Sequence, residues 1–118
     1  MVALSTTVNG ETSETRVIKK IQERIAKSFM DIFIMQKLKT EPSSGYDIIK
    51  CVHGKFGFFP SSGTVYSLLY SLERNGLIEA SWFERKRVYK LTYKGAKTLE
   101  ITVKAYDKIK DIMNILIS

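Results

Sequence analysis

The sequence is poor in the residues that most often carry chemistry. It has one cysteine, one histidine and two prolines in 118 residues. Cys51 alone cannot close an internal disulfide, so nothing in the chain calls for an oxidising compartment. His53 and Cys51 stand two residues apart in "CVH". On a helix that spacing sends them to different sides, and the further ligands of a metal centre are missing. The same geometry argues against a paired Cys/His nucleophile. The glycines of "HGKFGFFP" are not followed by the Lys and Ser or Thr of a phosphate-cradling loop. Long apolar runs are also missing: no stretch approaches the about 18 residues that suggest a membrane span. The first thirty residues do not couple a basic head to an apolar run as a signal peptide does. The chain therefore reads as a non-enzymatic, cytoplasmic protein with no cofactor, no metal and no membrane.

Carboxylates are scarce in one region. The formal charge is +7, and residues 50 to 97 hold nine Lys or Arg against only Glu73, Glu79 and Glu84, a balance of +6. A localised basic surface favours a polyanionic partner, and nucleic acid is the commonest one. A solvated basic face kept for solubility is the plainer alternative. The rest of the composition, 44% hydrophobic and 26% charged, is that of a folded chain of single-domain length with enough apolar surface for a core.

Residues 1–12, "MVALSTTVNGET", have no helical period and read as a mobile lead-in. From Ser13, a residue able to cap, Ile18, Ile21, Ile25 and Phe29 recur at helical spacing, predicting an amphipathic helix to about Lys27. "SFMDIFIMQKLK" is apolar on most sides and predicts a buried helix that ends before Pro42 and Gly45. A shorter helix over 45–56 would turn Ile48, Ile49 and Val52 inward, and the glycine-punctuated loop "GKFGFFP" follows it. The next stretch, "PSSGTVYSLLYSLERNG", predicts a helix capped by Ser61 or Ser62 and stopped at Asn75-Gly76. "LIEASWF" and "RVYKLTY" alternate apolar and polar residues around "ERKR", the pattern of a two-stranded hairpin with a basic tip. Thr92 is placed to cap one last helix running to the C-terminus.

At about 100° per residue, Val65, Leu68, Leu69 and Leu72 share one face of the helix after Pro60, while Gly63, Thr64, Tyr66, Ser67, Tyr70, Ser71 and Arg74 cover the remainder. Glu73 is its only acid. A face that meets water alone is usually dressed with Glu, Lys and Gln. Small residues and hydroxyls in their place suit close approach to a surface, and they reach phosphates or base edges without repelling them. The alternative is a helix packed on both sides, with Tyr66 and Tyr70 as core aromatics. The order short helix, tight loop, second helix and basic hairpin is that of a winged helix, with the second helix in the major groove. Lys50, Lys55, Arg74 and the wing would then grip phosphates.

In motif content and spacing, "FIMQKL" and "SSGYDIIK", "PSSGTVYSLLYSLERNGLIEAS" and "RVYKLTYKGAKTL" resemble the PadR family of winged-helix transcriptional regulators. The resemblance covers residues 29 to 99, about 60% of the chain. Gly45-Tyr46, "GTVY" at 63–66, "LERNGLI" at 72–78 and "YKLTYKG" at 89–95 are its most specific parts. It implies a dimeric repressor on a roughly palindromic operator. It also implies Ser62, Thr64, Tyr66 and Ser67 as recognition-helix contacts, Tyr46 near the DNA backbone, and Arg85, Lys86 and Arg87 on the wing. Ser61, Gly63 and Tyr70 complete the expected DNA-facing set. The single helix expected after the wing resembles the short branch of the family, which lacks the larger effector-sensing C-terminal domain.

The C-terminal helix shows two apolar stripes, one with Leu99, Val103, Tyr106, Met113 and Ile117, the other with Ile101, Ala105, Ile109, Ile112 and Leu116. A helix packed only on its own domain needs one stripe, so the second predicts a homodimer. Leu99, Val103, Tyr106, Ile109, Met113 and Leu116 are the expected contacts. The fold expected is mostly α with a small β-hairpin wing: a winged helix-turn-helix over 13–93, made dimeric through its terminal helices, with 94–118 as the dimerisation helix. The partner expected is double-stranded DNA. Two other readings stay open: a winged helix that docks on an acidic protein, and a sensor of a small hydrophobic effector whose pocket is lined by Trp82, Phe83 or the "FGFF" aromatics.

Overall fold

A computed structural model describes Thr7–Val8 and residues 11–118. Of the expected lead-in, residues 1–6, 9 and 10 lie outside the described residues. The remainder pairs as two short antiparallel strands, β1 (Thr7–Val8) and β2 (Glu11–Thr12). Helix α1 (Ser13–Ser28) follows directly, and its cap is Thr12 rather than Ser13: the Thr15 N–H donates to Thr12 Oγ1 at 3.0 Å. Its apolar stripe is present but uncovered, since Ala26 is its one buried residue.

The body begins at α2 (Met30–Thr40), which buries Met30, Ile34, Met35 and Leu38. Helix α3 (Gly45–Phe56) adds Ile48 and Val52, and α4 (Ser62–Arg74) adds Val65, Leu69 and Leu72. These apolar positions recur every three or four residues, so each helix turns one stripe into a shared core. Ile78, Tyr89 and Leu99 close that core from the sheet and the following helix.

The hairpin consists of β4 (Ile78–Phe83) and β5 (Lys86–Leu91) in antiparallel register from Ile78↔Leu91 to Phe83↔Lys86. A third strand accompanies them. β3 (Ser43–Ser44) pairs with β5, so the sheet runs β3-β5-β4 and not as two strands alone. This pairing ties the entrance of α3 to the wing.

The expected single C-terminal helix is divided into α5 (Tyr93–Lys104) and α6 (Tyr106–Ile117), with Ala105 at ψ 6° between them. The hydroxyls of Thr98 and Thr102 donate back to the carbonyls of Lys94 and Thr98, both at 2.9 Å. Such back-bonding bends helices, and at Ala105 the N–H is shared between Ile101 O and Thr102 O, both at 3.1 Å. No residue of α6 is buried. Leu99, expected at a dimer contact, instead belongs to the core of its own chain. Among the described residues no helix is long and apolar enough to cross a membrane.

Candidate nucleic-acid interface

The N-terminus of α3 is fixed by a reciprocal pair of hydrogen bonds. The Ser44 N–H donates to Asp47 Oδ2 and the Asp47 N–H donates to Ser44 Oγ, each at 3.1 Å. This is a capping box, and it satisfies two otherwise orphaned donors. The Ser44 backbone hydrogen bond holds the Asp47 carboxyl below its usual range, with the Ser44 hydroxyl and the charges of Lys86 and Lys50 acting in the same direction. The spacing Ser-x-x-Asp is a signal from which this cap, absent from the sequence-based expectations, could have been read.

Gly45, the first residue of α3, is buried, and a Cβ there would lie 2.6 Å from the Tyr66 ring. The missing side chain lets α4 lay Tyr66 across the backbone at the start of α3. Tyr66 is therefore partly packed yet still half exposed, which reconciles the core and surface readings of that residue. Around it, Ser44, Tyr46, Tyr66, Lys86 and Arg87 line a cleft of about 390 Å³ between α3, α4 and the wing. Four of the expected contact residues are thus brought together. Lys50 extends the same surface, its ammonium 5.5 Å from the centre of the Tyr46 ring. Lys55 is exposed and lies outside the residues lining the cleft.

Helix α4 presents its polar face to solvent as its periodicity predicts. Ser62, Gly63, Thr64, Ser67, Tyr70 and Arg74 are all exposed, while Val65, Leu69 and Leu72 are buried. Ser61 is the N-cap, its Oγ accepting from the Thr64 N–H at 3.4 Å. The first turn carries no acid, so the positive end of the helix dipole is left for an anion.

The wing differs from its expected form in where the basic cluster sits. Only Glu84 and Arg85 form the turn, both with positive φ, 48° and 66°. Lys86 and Arg87 belong to β5. A two-residue turn with both φ positive matches the right-handed twist of a hairpin, although Asn-Gly is the usual occupant. Arg87 reaches back to α4, where its guanidinium donates to both Glu73 oxygens at 3.1 and 3.0 Å. The hydrogen bond to Glu73 and its negative charge raise the Arg87 pKa further. The single carboxylate of α4 is thereby neutralised by the wing, a partnership between residues fourteen positions apart that no local pattern announces.

His53 and Cys51 lie outside the cleft. His53 lies flat on Phe59, with centroids 3.7 Å apart and planes 6° apart. Cys51 is a free, half-buried thiol. Among the described residues no group of three or more His, Cys, Asp or Glu could hold a metal ion. The base of the wing is pinned where Thr92 Oγ1 donates to Gly76 O at 2.6 Å and Lys94 Nζ donates to Asn75 O at 2.8 Å. This fixes the hairpin relative to the end of α4.

A short helix, a tight loop, a second helix with an open polar face and a hairpin strapped to it define a winged helix-turn-helix. The transcriptional regulator PadR-like family matches residues 34–101, more than half of the chain, and the protein belongs to that family. Its members are transcription regulators and not enzymes. Among solved structures, a transcriptional regulator from Clostridium thermocellum is 25% identical, with a TM-score of 0.71 over 80% of this chain and 96% of its own. A PadR family transcription regulator from Clostridium difficile is 29% identical, with a TM-score of 0.67 over 76% and 99%. The PadR of Bacillus subtilis, solved in complex with operator DNA, shares the fold at 23% identity and a TM-score of 0.55, over 63% of this chain and 46% of its own. A comparison with curated proteins finds no match.

Proposed function

We propose that this protein is a sequence-specific double-stranded DNA-binding regulator of transcription, a homodimeric repressor of a palindromic operator. The observation that carries the reading is the surface of α4: six expected contact residues are exposed around Tyr66, the one acid is paired with Arg87, and the wing adds Arg85 and Lys86 alongside. Hydroxyls and tyrosines there suit base edges, and the flanking cations suit phosphates. Fold-level support comes from the Bacillus subtilis PadR, solved on operator DNA. Dimerisation is supported by α6, whose Tyr106, Ile109, Met113 and Leu116 are exposed together with Val103 of α5. Two copies related by a two-fold axis would present two α4 helices to successive major grooves, about 34 Å apart.

The test is retention of fragmented genomic DNA by the purified protein at near-physiological salt, where nonspecific attraction to a +7 chain is suppressed. Enrichment of a few sites bearing inverted repeats about one helical turn apart is the expected result. Uniform retention would overturn it in favour of an architectural DNA binder, and absent retention in favour of the protein-docking alternative.

A small hydrophobic effector is a second reading with its own observation. An apolar groove of about 400 Å³ lies between α1, α2 and α3, lined by Ile25, Ala26, Phe29, Ile32, Phe33 and Phe56 among others. It lies away from Trp82 and Phe83, although Phe56 of the "FGFF" stretch contributes to it.

A further inference from the structure

The wing ends in two large aromatic side chains that the fold does not use. Trp82 is 72% exposed and Phe83 62% exposed. Among the described residues, neither ring stacks on another aromatic or carries a cation over its face. Their strand partners are cations: Trp82 faces Arg87 and Phe83 faces Lys86, and the Glu84-Arg85 turn follows at once. As neighbours on one strand the two rings project from opposite faces of the hairpin, so each face of the tip carries one exposed ring, with Arg85 and Lys86 as the adjacent cations while Arg87 is paired with Glu73. Two exposed rings beside cations fit a surface that carries both negative charge and flat apolar faces. Duplex DNA offers both complements, phosphates for the cations and deoxyribose and base faces for the rings. Proteins insert apolar side chains between base steps from the minor groove in this way.

We propose that Trp82 and Phe83 form an apolar contact between the wing and the duplex, against the sugars and base edges of the groove flanking the one that α4 enters. The inference rests on the DNA-binding reading above and adds that the wing contributes by apolar burial as well as by charge. It gives the wing a share in choosing sites, because base steps differ in how readily they unstack.

Trp82 is the only tryptophan, so its fluorescence reports this point alone. The experiment titrates the full chain with a labelled duplex taken from the retained genomic fragments, following duplex anisotropy and acrylamide quenching of Trp82 together. The expected result is that Trp82 becomes shielded with the same midpoint as complex formation. Trp82→Ala should weaken the complex roughly tenfold, the scale of a lost aromatic–base contact, while the dependence of log K on log salt keeps its slope. Arg85→Ala should instead flatten that slope. A complex that forms with Trp82 still fully quenchable overturns the inference and leaves the DNA reading standing. Shielding that depends on protein concentration without DNA assigns the rings to a second copy and also overturns it. No complex with any duplex overturns both readings.

Discussion

The body of the molecule and its two terminal helices carry the same kind of amphipathic pattern and meet opposite ends. In α2, α3 and α4 every strong apolar stripe finds its cover within the chain, and Ile34, Ile48, Val52, Val65 and Leu69 are fully buried. In α1 the stripe Val17, Ile18, Ile21, Ile25 and Phe29 stays between 45% and 50% exposed, and in α6 nothing is buried. The hydrophobic effect acts alike on both regions. The difference is that the body's cover is local, whereas the terminal helices extend past the surface that could cover them. A stripe without cover is the mark of a missing surface, and a second copy is the cover proposed here.

The widest separation between the two regions should appear on substitution. Leu69→Ala removes a fully buried side chain and should lower stability by about 2–5 kcal/mol, independent of protein concentration. Replacing Ile112 and Leu116 with Asp should leave the body folded while weakening self-association roughly 100-fold, the scale of losing two interface anchors. Denaturation of Leu69→Ala and sedimentation of the double variant at several concentrations measure the two effects. If the double variant sediments like the parent at every concentration, the stripe on α6 has another use and the contrast between the regions fails.

Within the body, what the sequence announces and what it conceals follow one physical rule. Periodic stripes long enough to repeat were legible, which is why α1 to α4 and both wing strands lie close to their expected spans. β3 was not, because two serines carry no period and their burial comes from tertiary contacts, the pairing with β5 among them. The break at Ala105 has no glycine or proline to announce it, and the two threonines that bond backward before it look like ordinary helix in the sequence. The exposed face of α4 was readable from its lack of acids. The commitment of Arg87 to Glu73 was not, since it depends on how the wing docks. Leu99 is covered by its own domain, and the stripe it belongs to shows that a residue is covered without saying by what.

A smaller effect tests the join between α3 and the wing. Ser44 is at once a strand residue, the cap of α3 and a lining residue of the Tyr66 cleft. Ser44→Ala should cost about 1 kcal/mol, as lost caps do. Asp47 adds a pH dependence of known sign. Its folded pKa is depressed, so the stabilisation is complete above the unfolded value of about 4 and is lost as pH falls through the lower, folded value. Thermal melts across that acid range should show the slope in the parent and a weaker one in Asp47→Asn. Equal slopes would mean that the carboxylate does not contribute to the cap.

The smallest effect on stability, and the finest test of how wing and recognition helix divide their work, is the Glu73–Arg87 pair. Both partners are solvent-exposed enough for water to screen them, so neither Glu73→Ala nor Arg87→Ala should disturb folding much. Their effects on DNA binding should differ in kind. If Arg87 spends its charge on Glu73, Arg87→Ala leaves the salt dependence of binding nearly unchanged, because no phosphate contact is removed. Its loss appears as reduced preference for the operator, since α4 is no longer held by the wing. Glu73→Ala releases Arg87 toward the backbone and should steepen the slope by about 0.9, the increment for one further phosphate, while random duplexes gain affinity. Exchanging the two residues, Glu73→Arg with Arg87→Glu, should restore the preference that each single variant loses. A slope that falls by about one unit in Arg87→Ala would instead make Arg87 a phosphate contact in the complex, and the pair would then describe the free protein alone.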